Sequence, residues 1–310
     1  MKGKIAVVIP VFNREELVIR ALESALSQTV SPAEIIVVDN NSTDGSRTAV
    51  ERWMSERSLP GVRMLLISES APGACAARNA GLKEVTAEYV HFLDSDDCML
   101  PELVARATEA IRETDSPDLV CWWAAYATPS GLNKKRVSHK DMFKGQIYQS
   151  RLSTQTFAVR TDFLRRAGGW NSSLPGWNDW ELGIRLLSRK PRIAFVDEIL
   201  VAIYPQRVSI TGENYHSKAG QWELAIDAAE SVVTGLPEEK RLKGMINYRR
   251  VNLAALYKQE GREDLAAPLL KRALEHPAVS PFQRFFLRLI YQYTSRGGRG
   301  GYLFYDMIGN

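Results

Sequence analysis

The sequence predicts an α/β protein with a mainly parallel sheet flanked by helices, followed by an all-helical C-terminal region. Up to about residue 212, short β-branched runs alternate with segments of helical period. Such alternation indicates parallel strands joined by helical crossovers. From about residue 213 onward only helical periods remain, so the architecture changes there.

The alternating part is predicted to contain strands and helices in regular succession. Strands are predicted at residues 5–9, 35–38, 62–67, 89–93 and 119–123. Helices are predicted at residues 15–28, 43–57, 74–85 and 101–113. Right-handed crossovers place the carboxyl ends of the strands on one edge of the sheet, where ligands bind in folds of this kind.

The C-terminal region is predicted to be helical throughout. Its helices are predicted at residues 217–234, 238–259, 262–275 and 281–294. The stretch 253–277 resembles one helical hairpin of the tetratricopeptide type. Because one copy is not an array, a helical appendage packed on the main domain remains the alternative.

Composition and charge exclude several classes of protein. The chain has 310 residues, 45% hydrophobic and 25% charged, which excludes a disordered or collagen-like chain. A net charge of +4 is too small to indicate nucleic-acid binding. Three cysteines without a metal or disulfide pattern suit a reducing compartment. With no signal peptide or membrane span expected, we predict a cytoplasmic protein that is at most peripheral to a membrane.

Two polar motifs follow predicted strands and suit a nucleotide. The first, residues 39–45, offers Asp39 and neighbouring amides to a base or ribose, although a capped turn would look the same. The second opens a helix at Gly73, whose free N–H groups favour an anion. Arg78 on that helix can hold phosphate oxygens, or else pair with a surface carboxylate.

The sharpest signal is the acidic tip, by which we mean residues 94–97 with their three carboxylates. The tip directly follows the apolar run 89–93. Like charges this close raise one another's pKa unless a cation neutralises them. A hard divalent ion such as Mg²⁺ or Mn²⁺ is the natural partner, with substrate phosphates completing its shell. A solvated acidic turn is the alternative interpretation.

A fourth motif, residues 177–186, places a carboxylate between two tryptophans. Trp177 and Trp180 offer apolar surface for a sugar ring, and Asp179 beside them can act as a general base. Alternatively, Asp179 interacts with the helix dipole while the tryptophans belong to the core.

Taken together, these motifs resemble the family 2 glycosyltransferases of the GT-A fold. The matching pieces span roughly residues 4–212 and occur in the family's order: 7–14, 38–44, 73–81, 92–97, 168–171 and 178–182. The resemblance implies a catalytic domain at 1–212, with a nucleotide-sugar-binding half at 1–125 and an acceptor-binding half at 126–212. The helical region 213–310 is not covered by it.

The resemblance also implies roles for individual residues. Asp179 matches the catalytic base of an inverting enzyme, Asp39 matches the residue that meets the base, and Asp94 and Asp96 match the acids of the DxD motif. The implied metal ligands are Asp96 and Asp97. Residues implied to bind the nucleotide sugar are Pro10, Phe12, Asn13, Arg14, Asp39, Asn41, Arg78, Asp94, Ser95 and Asp96. Residues implied to contact the acceptor are Trp177, Asn178 and Trp180.

The implied reaction is transfer of a sugar from a nucleotide diphosphate sugar, expected to be UDP-linked, to a saccharide or lipid-linked hydroxyl. It would use Mg²⁺ or Mn²⁺ and serve the synthesis of a surface polysaccharide or glycan. The sequence departs from the family where Asn40, Asn41 and Asn178 stand in place of Asp, Gly and Glu. The segment 204–211, after the last strand, also lacks the histidine that family members often carry there, and Arg207 is expected to contact the diphosphate instead.

Two other functions remain open from the sequence. A nucleotide-sugar pyrophosphorylase would need a Gly-rich basic loop after the first strand, where this chain has residues 10–13. A catalytically inactive nucleotide-sugar-binding module would be expected to lose the acids, which are all present. Separately, residues 280–305 interleave four arginines with aromatic residues, and contain no acid. This basic helix could lie on an anionic membrane surface or dock on the catalytic domain.

Overall fold

The computed structural model describes residues 3–57, 60–134, 141–205 and 214–308. The chain forms two compact units. The first unit comprises Met1–Val137, Leu152–Pro175 and Lys190–Gln206. The second unit comprises Ser138–Arg151, Gly176–Arg189 and Arg207–Asn310.

The first unit contains the β-sheet and the helices that flank it. Its strands are β1 (Ile5–Val11), β2 (Glu34–Asp39), β3 (Arg63–Ser68), β4 (Tyr89–Phe92), β5 (Cys98–Met99), β6 (Leu119–Thr128), β7 (Gly131–Lys134), β8 (Phe157–Arg160) and β9 (Ile193–Ile203). Its helices are α1 (Glu15–Leu26), α2 (Ser46–Glu56), α3 (Ala74–Glu84), α4 (Leu103–Glu113) and α6 (Thr161–Arg166). A short 3-10 turn, Thr154–Thr156, precedes β8.

The sheet is parallel on one side and mixed on the other. The strand order is β3-β2-β1-β4-β8-β6-β9-β5, with β7 paired to β6. Strands β3, β2, β1 and β4 are mutually parallel, whereas β8 runs antiparallel to both of its neighbours. In the parallel register Val11 lies opposite Asp39, and Asp39 lies opposite Ser68. The carboxyl ends of β1, β2 and β3 therefore form one row, as the sequence predicts.

The parallel strands are apolar because they are covered on both faces. Residues of β1 and β2 are almost completely buried, and α1 presents Val18 and Leu22 to the same core. On α3, Gly81 permits close approach to β1, since a Cβ there would lie 2.4 Å from Val8 Cγ1. Forcing even one methyl group into such a contact typically costs about 1–3 kcal/mol. Helix α3 is thereby fixed against the strands that carry the candidate site.

The second unit is helical. Its helices are α5 (Met142–Gln149), α7 (Asn178–Leu187), α8 (Gln221–Val233), α9 (Glu239–Gln259), α10 (Glu263–Leu274), α11 (Pro281–Ser295) and α12 (Gly301–Ile308). The long helix α9 packs against α8, α10 and α11. Its fully buried Arg250 pairs with Asp227 at 2.7 Å and Glu230 at 2.9 Å. Removing one partner of such a buried pair costs about 3–5 kcal/mol, so this network helps to fix the bundle.

The predicted fold class is confirmed, and the predicted helices and strands lie within a few residues of the observed ones. The sequence analysis missed β5, β7, β8 and β9 and helices α5, α6 and α12. The boundaries of the compact units differ from those of the predicted domains, because α5 and α7 belong to the same unit as the C-terminal helices. The functional division at residues 125 and 212 stays a prediction. Among the described residues, no helix combines the length and apolar character needed to cross a bilayer.

Candidate active site

The loops after β1 and β2 are tied together by hydrogen bonds. Asn13, with a positive φ of 51°, accepts a bond from Thr43 N at 2.8 Å and donates its own N–H to Ser42 Oγ at 3.1 Å. Arg14 N donates to Ser46 Oγ at 2.7 Å. The predicted nucleotide-binding residues of the first loop thus lie beside those of the second loop. Phe12 is exposed and Pro10 half-buried at the end of β1.

Asp39 ends β2 with unused hydrogen-bonding capacity. It is 7% exposed, and its buried Oδ1 has no hydrogen-bond partner among the described residues. Buried polar atoms are nearly always paired, so an unpaired carboxylate oxygen needs an explanation. A hydrogen-bond donor supplied by a ligand would explain the unpaired oxygen of Asp39.

Two asparagines after β2 shape the approach to α3. Asn40 donates to Glu69 O and Ala71 O, both at 2.7 Å, and accepts from Gly73 N at 2.8 Å. Asn41, with φ of 64°, donates to Ser70 O at 3.0 Å. The departures from the family pattern at these two positions therefore serve to hold the loop between β3 and α3.

Helix α3 places Arg78 against the acidic tip. Arg78 Nη2 lies 2.7 Å from Asp94 Oδ1, and its guanidinium stacks 4.4 Å from the ring centre of Trp170. Asn79 fixes that ring, because it donates to Trp170 O and accepts from Trp170 N, both at 2.8 Å. Arg78 is 6% exposed, and the carboxylate with which it pairs belongs to the acidic tip. Its contact with a diphosphate stays a prediction.

Gln155 bridges two acids of the tip, and the sequence analysis missed it. Its Nε2 donates to Asp94 Oδ2 at 2.8 Å and to Asp97 Oδ2 at 2.9 Å. Asp97 Oδ1 accepts from Tyr204 N at 3.0 Å. A glutamine in the short turn before β8 carries no sequence signal of this role, since only the antiparallel pairing of β8 with β4 brings it to the tip.

Asp96 differs from its two neighbours in the acidic tip. Its backbone O accepts from Arg20 Nη2 at 2.5 Å, and its Oδ2 lies 3.9 Å from Arg14 Nε. The Asp96 side chain is 23% exposed, whereas Asp97 is buried. The Asp94 side chain is 25% exposed, but its two oxygens are already bonded to Arg78 and Gln155. Asp96 is therefore the acid of the tip whose carboxylate remains most available to a ligand.

Two acids of the tip, Asp96 and Asp97, resist ionisation. Burial and the charge of Asp94 raise the pKa of Asp96, and they raise the pKa of Asp97 to about 7. A cation placed at the tip would relieve this repulsion. Within the described ranges, no group of three or more His, Cys, Asp or Glu side chains could hold a metal by itself. The carboxylate oxygens of the tip are hard ligands of the kind that Mg²⁺ and Mn²⁺ prefer, and substrate phosphate oxygens commonly complete the shell of such an ion. Metal binding at the tip stays a prediction.

The second unit holds the candidate base. Asp179 stands in the first turn of α7, half-buried, and its Oδ1 accepts from Trp180 N at 2.8 Å. Trp177, also half-buried, precedes the helix with a φ of 51°. Asn178 is half-buried between them.

Trp180 is part of the core of the second unit. It is fully buried and donates through Nε1 to Ile147 O at 3.0 Å. Gln146 donates to Trp180 O at 2.9 Å, which holds α5 against α7. This burial favours the interpretation of Trp180 as a core residue over the predicted acceptor contact. Trp177 is only partly buried, and its ring centre lies 5.2 Å from that of Trp222.

The structure thus assembles the predicted donor residues within the first unit and the predicted catalytic and acceptor residues within the second. Arg207 lies outside the described residues.

The chain belongs to the family 2 glycosyltransferases. Residues 6–168, more than half of the 310, match the model described as Glycosyl transferase family 2. The chain is similar to the glycosyltransferase GlyG of Streptococcus pneumoniae serotype 4, with 28% identity over 175 residues, covering 56% of this chain and 54% of the relative. It therefore spans only about half the length of that relative.

Solved structures are similar over almost the whole chain. TarS 1–349 of S. aureus in complex with UDP-GlcNAc gives a TM-score of 0.72 at 20% identity, covering 95% of this chain and 87% of that one. The mannosyltransferase PcManGT of Pyrobaculum calidifontis in complex with GDP-Man and Mn²⁺ gives 0.60 at 19%, covering 96% and 84%. At these identities the likeness establishes the fold, which is of the GT-A type.

We predict that Gln155→Glu destabilises the protein in a pH-dependent way. A further carboxylate would replace the donor between Asp94 and Asp97, at a cost of about 1–3 kcal/mol. The pKa values of Asp96 and Asp97 are raised in the folded state. The folded state therefore binds more protons than the unfolded state between about pH 4 and pH 7, and the free energy of unfolding falls as pH rises through this window. Urea unfolding should show a larger loss against wild type at pH 8 than at pH 5.

The matched control is Gln292→Glu, which adds the same charge at an exposed position of α11. It should change stability by less than about 0.5 kcal/mol at either pH. An equal loss at both pH values for Gln155→Glu would contradict the electrostatic account of the tip.

Proposed function

We propose that this protein transfers a sugar from a nucleoside diphosphate sugar, with UDP as the nucleotide, to a hydroxyl group with inversion at the anomeric carbon. The observation that carries the proposal is the acidic tip, which is fixed by Arg78, Gln155 and Tyr204 on the sheet edge where Asp39 keeps an unpaired oxygen. Membership of the family and the likeness to a UDP-GlcNAc complex support it.

Asp39 is proposed to recognise the base. A uracil ring donates through its N3–H, and a carboxylate oxygen without another donor is a suitable acceptor. Residues 10–14 and Asn41 border the same edge, and they would enclose the base and ribose. The loop hydrogen bonds between Asn13, Ser42 and Thr43 preorganise this pocket before the nucleotide arrives.

The diphosphate is proposed to lie at the acidic tip. Asp96 and Asp97 would hold a divalent ion there. When bound, the ion neutralises charge that grows on the leaving diphosphate. Arg14, 3.9 Å from Asp96, would add a second cation on that side. Metal dependence is therefore part of the proposal. The assignment of Asp94 and Asp96 as the DxD motif is part of it as well.

Asp179 is proposed as the general base. It would take the proton of the acceptor hydroxyl while that oxygen forms its bond to the anomeric carbon. The bond between this carbon and the diphosphate oxygen breaks in the same displacement, so the configuration inverts. Trp177 and Asn178 flank Asp179 and would contact a saccharide or lipid-linked acceptor. We place the reaction in the cytoplasm, in the synthesis of a surface polysaccharide or glycan.

We predict that Asp179→Asn loses transfer while it keeps UDP binding. General-base assistance is typically worth about 10²–10⁴-fold, and Asn retains the size of the side chain without the basic oxygen. UDP release from a panel of UDP-sugars, with saccharide acceptors and with or without EDTA, measures the loss. UDP binding by calorimetry should stay near the wild-type value.

The matched control is Asp162→Asn, an exposed acid at the start of α6 that should leave turnover unchanged. Near-normal turnover of Asp179→Asn would remove Asp179 as the base. If UTP and a sugar phosphate instead gave a nucleotide sugar, the chain would be a pyrophosphorylase.

The C-terminal helices present an apolar and basic face, which we call the α11 face. Exposed apolar side chains lie along α11 at one helical stripe: Phe282, Phe285, Leu289 and Tyr293. Arg288 and Arg296 are exposed beside them, whereas Leu287, Ile290 and Tyr291 are buried on the opposite side.

An anionic lipid surface is proposed as the partner of the α11 face. Four arginines and no acid occur between residues 280 and 305, so the charge complements an anionic leaflet. Aromatic side chains on an amphipathic helix insert at the boundary between headgroups and acyl chains. Such contact would bring the enzyme to a lipid-linked acceptor.

We predict that vesicles containing anionic lipid co-float with wild type but not with an Arg288→Gln/Arg296→Gln variant. Each arginine near such a surface contributes about 1 kcal/mol, so losing two weakens binding roughly 30-fold. Phe285→Ser should weaken binding as well. Leu224→Ser, at an exposed apolar position of α8, is the control and should float normally. Flotation independent of the arginines, or a dimer lost in Phe285→Ser without any flotation of wild type, would contradict the proposal.

A further inference from the structure

Arg249 of α9 lies among the residues that surround the proposed base. Its guanidinium stacks 4.3 Å from the ring centre of Trp177 and 5.0 Å from that of Trp180. Its Nη2 lies 3.4 Å from Ser150 Oγ, at the long end of the hydrogen-bond range. The sequence analysis gave Arg249 no role, because helical periodicity alone cannot tell it from the next residue.

The neighbouring arginine provides the contrast. Arg250 is fully buried and is neutralised by Asp227 and Glu230. For Arg249, no carboxylate lies within 4.0 Å in the part of the chain that the structure describes. Two adjacent arginines of one helix thus differ sharply: one belongs to a closed ion network, and the other is left without a counter-anion at contact distance.

Burial and stacking have opposite effects on the charged form of Arg249. A cation stacked on an aromatic ring gains about 0.5–2 kcal/mol, more when it is desolvated. Burial lowers the pKa of Arg249, whereas the nearby charges of Tyr215 and Asp179 raise it. The guanidinium is therefore partly desolvated and within electrostatic reach of the proposed base.

Stacking on rings directs the hydrogen-bonding edge of a guanidinium away from those rings. Rings cover the faces of a stacked guanidinium, while its five N–H donors lie in the plane and point away from its centre. Arg249, Ser150, Trp177 and Asp179 are each half-buried, so this group is accessible to a solute. A planar fork of donors matches the paired oxygens of a phosphate or carboxylate.

We propose that Arg249 forms an oxyanion subsite beside Asp179 and binds a phosphate or carboxylate group of the acceptor. This inference deepens the proposed function, on which it rests: the acceptor would be an anionic saccharide or a phosphate-bearing chain. Trp177, whose ring lies against Arg249 and Trp222, would border the sugar while Arg249 binds its charge. Anchoring the charged group in this way would hold the acceptor hydroxyl near Asp179.

Binding of small probes without any nucleotide sugar tests this inference. We expect wild type to bind glucose 6-phosphate or glucuronate at least about tenfold more tightly than glucose, a difference of 1.4 kcal/mol. The preference should fall as NaCl rises, since an accessible ion contact is screened. Tighter binding of glucose 6-phosphate would identify a phosphate-bearing acceptor, and tighter binding of glucuronate a carboxylate-bearing one.

Arg249→Gln should bind all three probes equally, and Arg249→Lys should recover part of the preference for the phosphate. Arg189→Gln, which removes an exposed arginine after α7, is the control and should keep the wild-type preference. Unchanged thermal unfolding of Arg249→Lys separates this effect from misfolding. Equal binding of charged and neutral sugars by wild type would overturn the inference.

Failure of the Arg249 subsite can be distinguished from failure of the proposed glycosyltransferase function. Probe binding needs neither donor nor turnover, whereas the proposed function is tested by UDP release. A preference for charged probes that persists in Arg249→Gln would also overturn the inference, since the subsite would then lie elsewhere.

Discussion

The structure depends on how three carboxylates are held within four residues at the end of a buried strand. Two of the acids are bonded by donors from distant segments. Arg78 contacts Asp94, Gln155 joins Asp94 to Asp97, and the backbone N–H of residue 204 donates to Asp97. These donors come from α3, from the turn before β8 and from the end of β9. Because β8 and β9 lie beyond the parallel strands, the mixed half of the sheet is what makes the acidic tip possible.

That arrangement leaves Asp96 as the acid with the least protein contact, and its raised pKa indicates an unmet need for positive charge. In the second unit Arg249 is the reverse case, because this cation has no contacting carboxylate among the described residues. Groups left electrostatically unsatisfied in a folded protein are candidates for binding ligands of opposite charge. A metal-diphosphate at one site and an anionic acceptor at the other would satisfy both, which is chemically consistent with transfer between two charged substrates.

Sequence reasoning predicted the parallel half of the fold because its signals are local. The apolar runs of β1 and β2 and the periodicity of α1 and α9 each decide their own element. The acidic tip was visible for the same reason, since its acids are adjacent in the chain. Gln155 and Arg249 were not predicted, because their roles arise only when distant segments are packed together. Trp180 shows the converse: its place in the motif suggested contact with acceptor, whereas packing buries it.

Calorimetric titration of UDP, with and without Mn²⁺, tests the central claim most directly when wild type is compared with Asp96→Asn. The account predicts that Mn²⁺ tightens UDP binding to wild type by at least about tenfold, equivalent to 1.4 kcal/mol, and that the variant loses this gain. Weak binding to the variant without metal should remain, through Asp39 and the loops after β1 and β2. UDP affinity that is independent of Mn²⁺, or an equal metal effect in both proteins, would contradict the account.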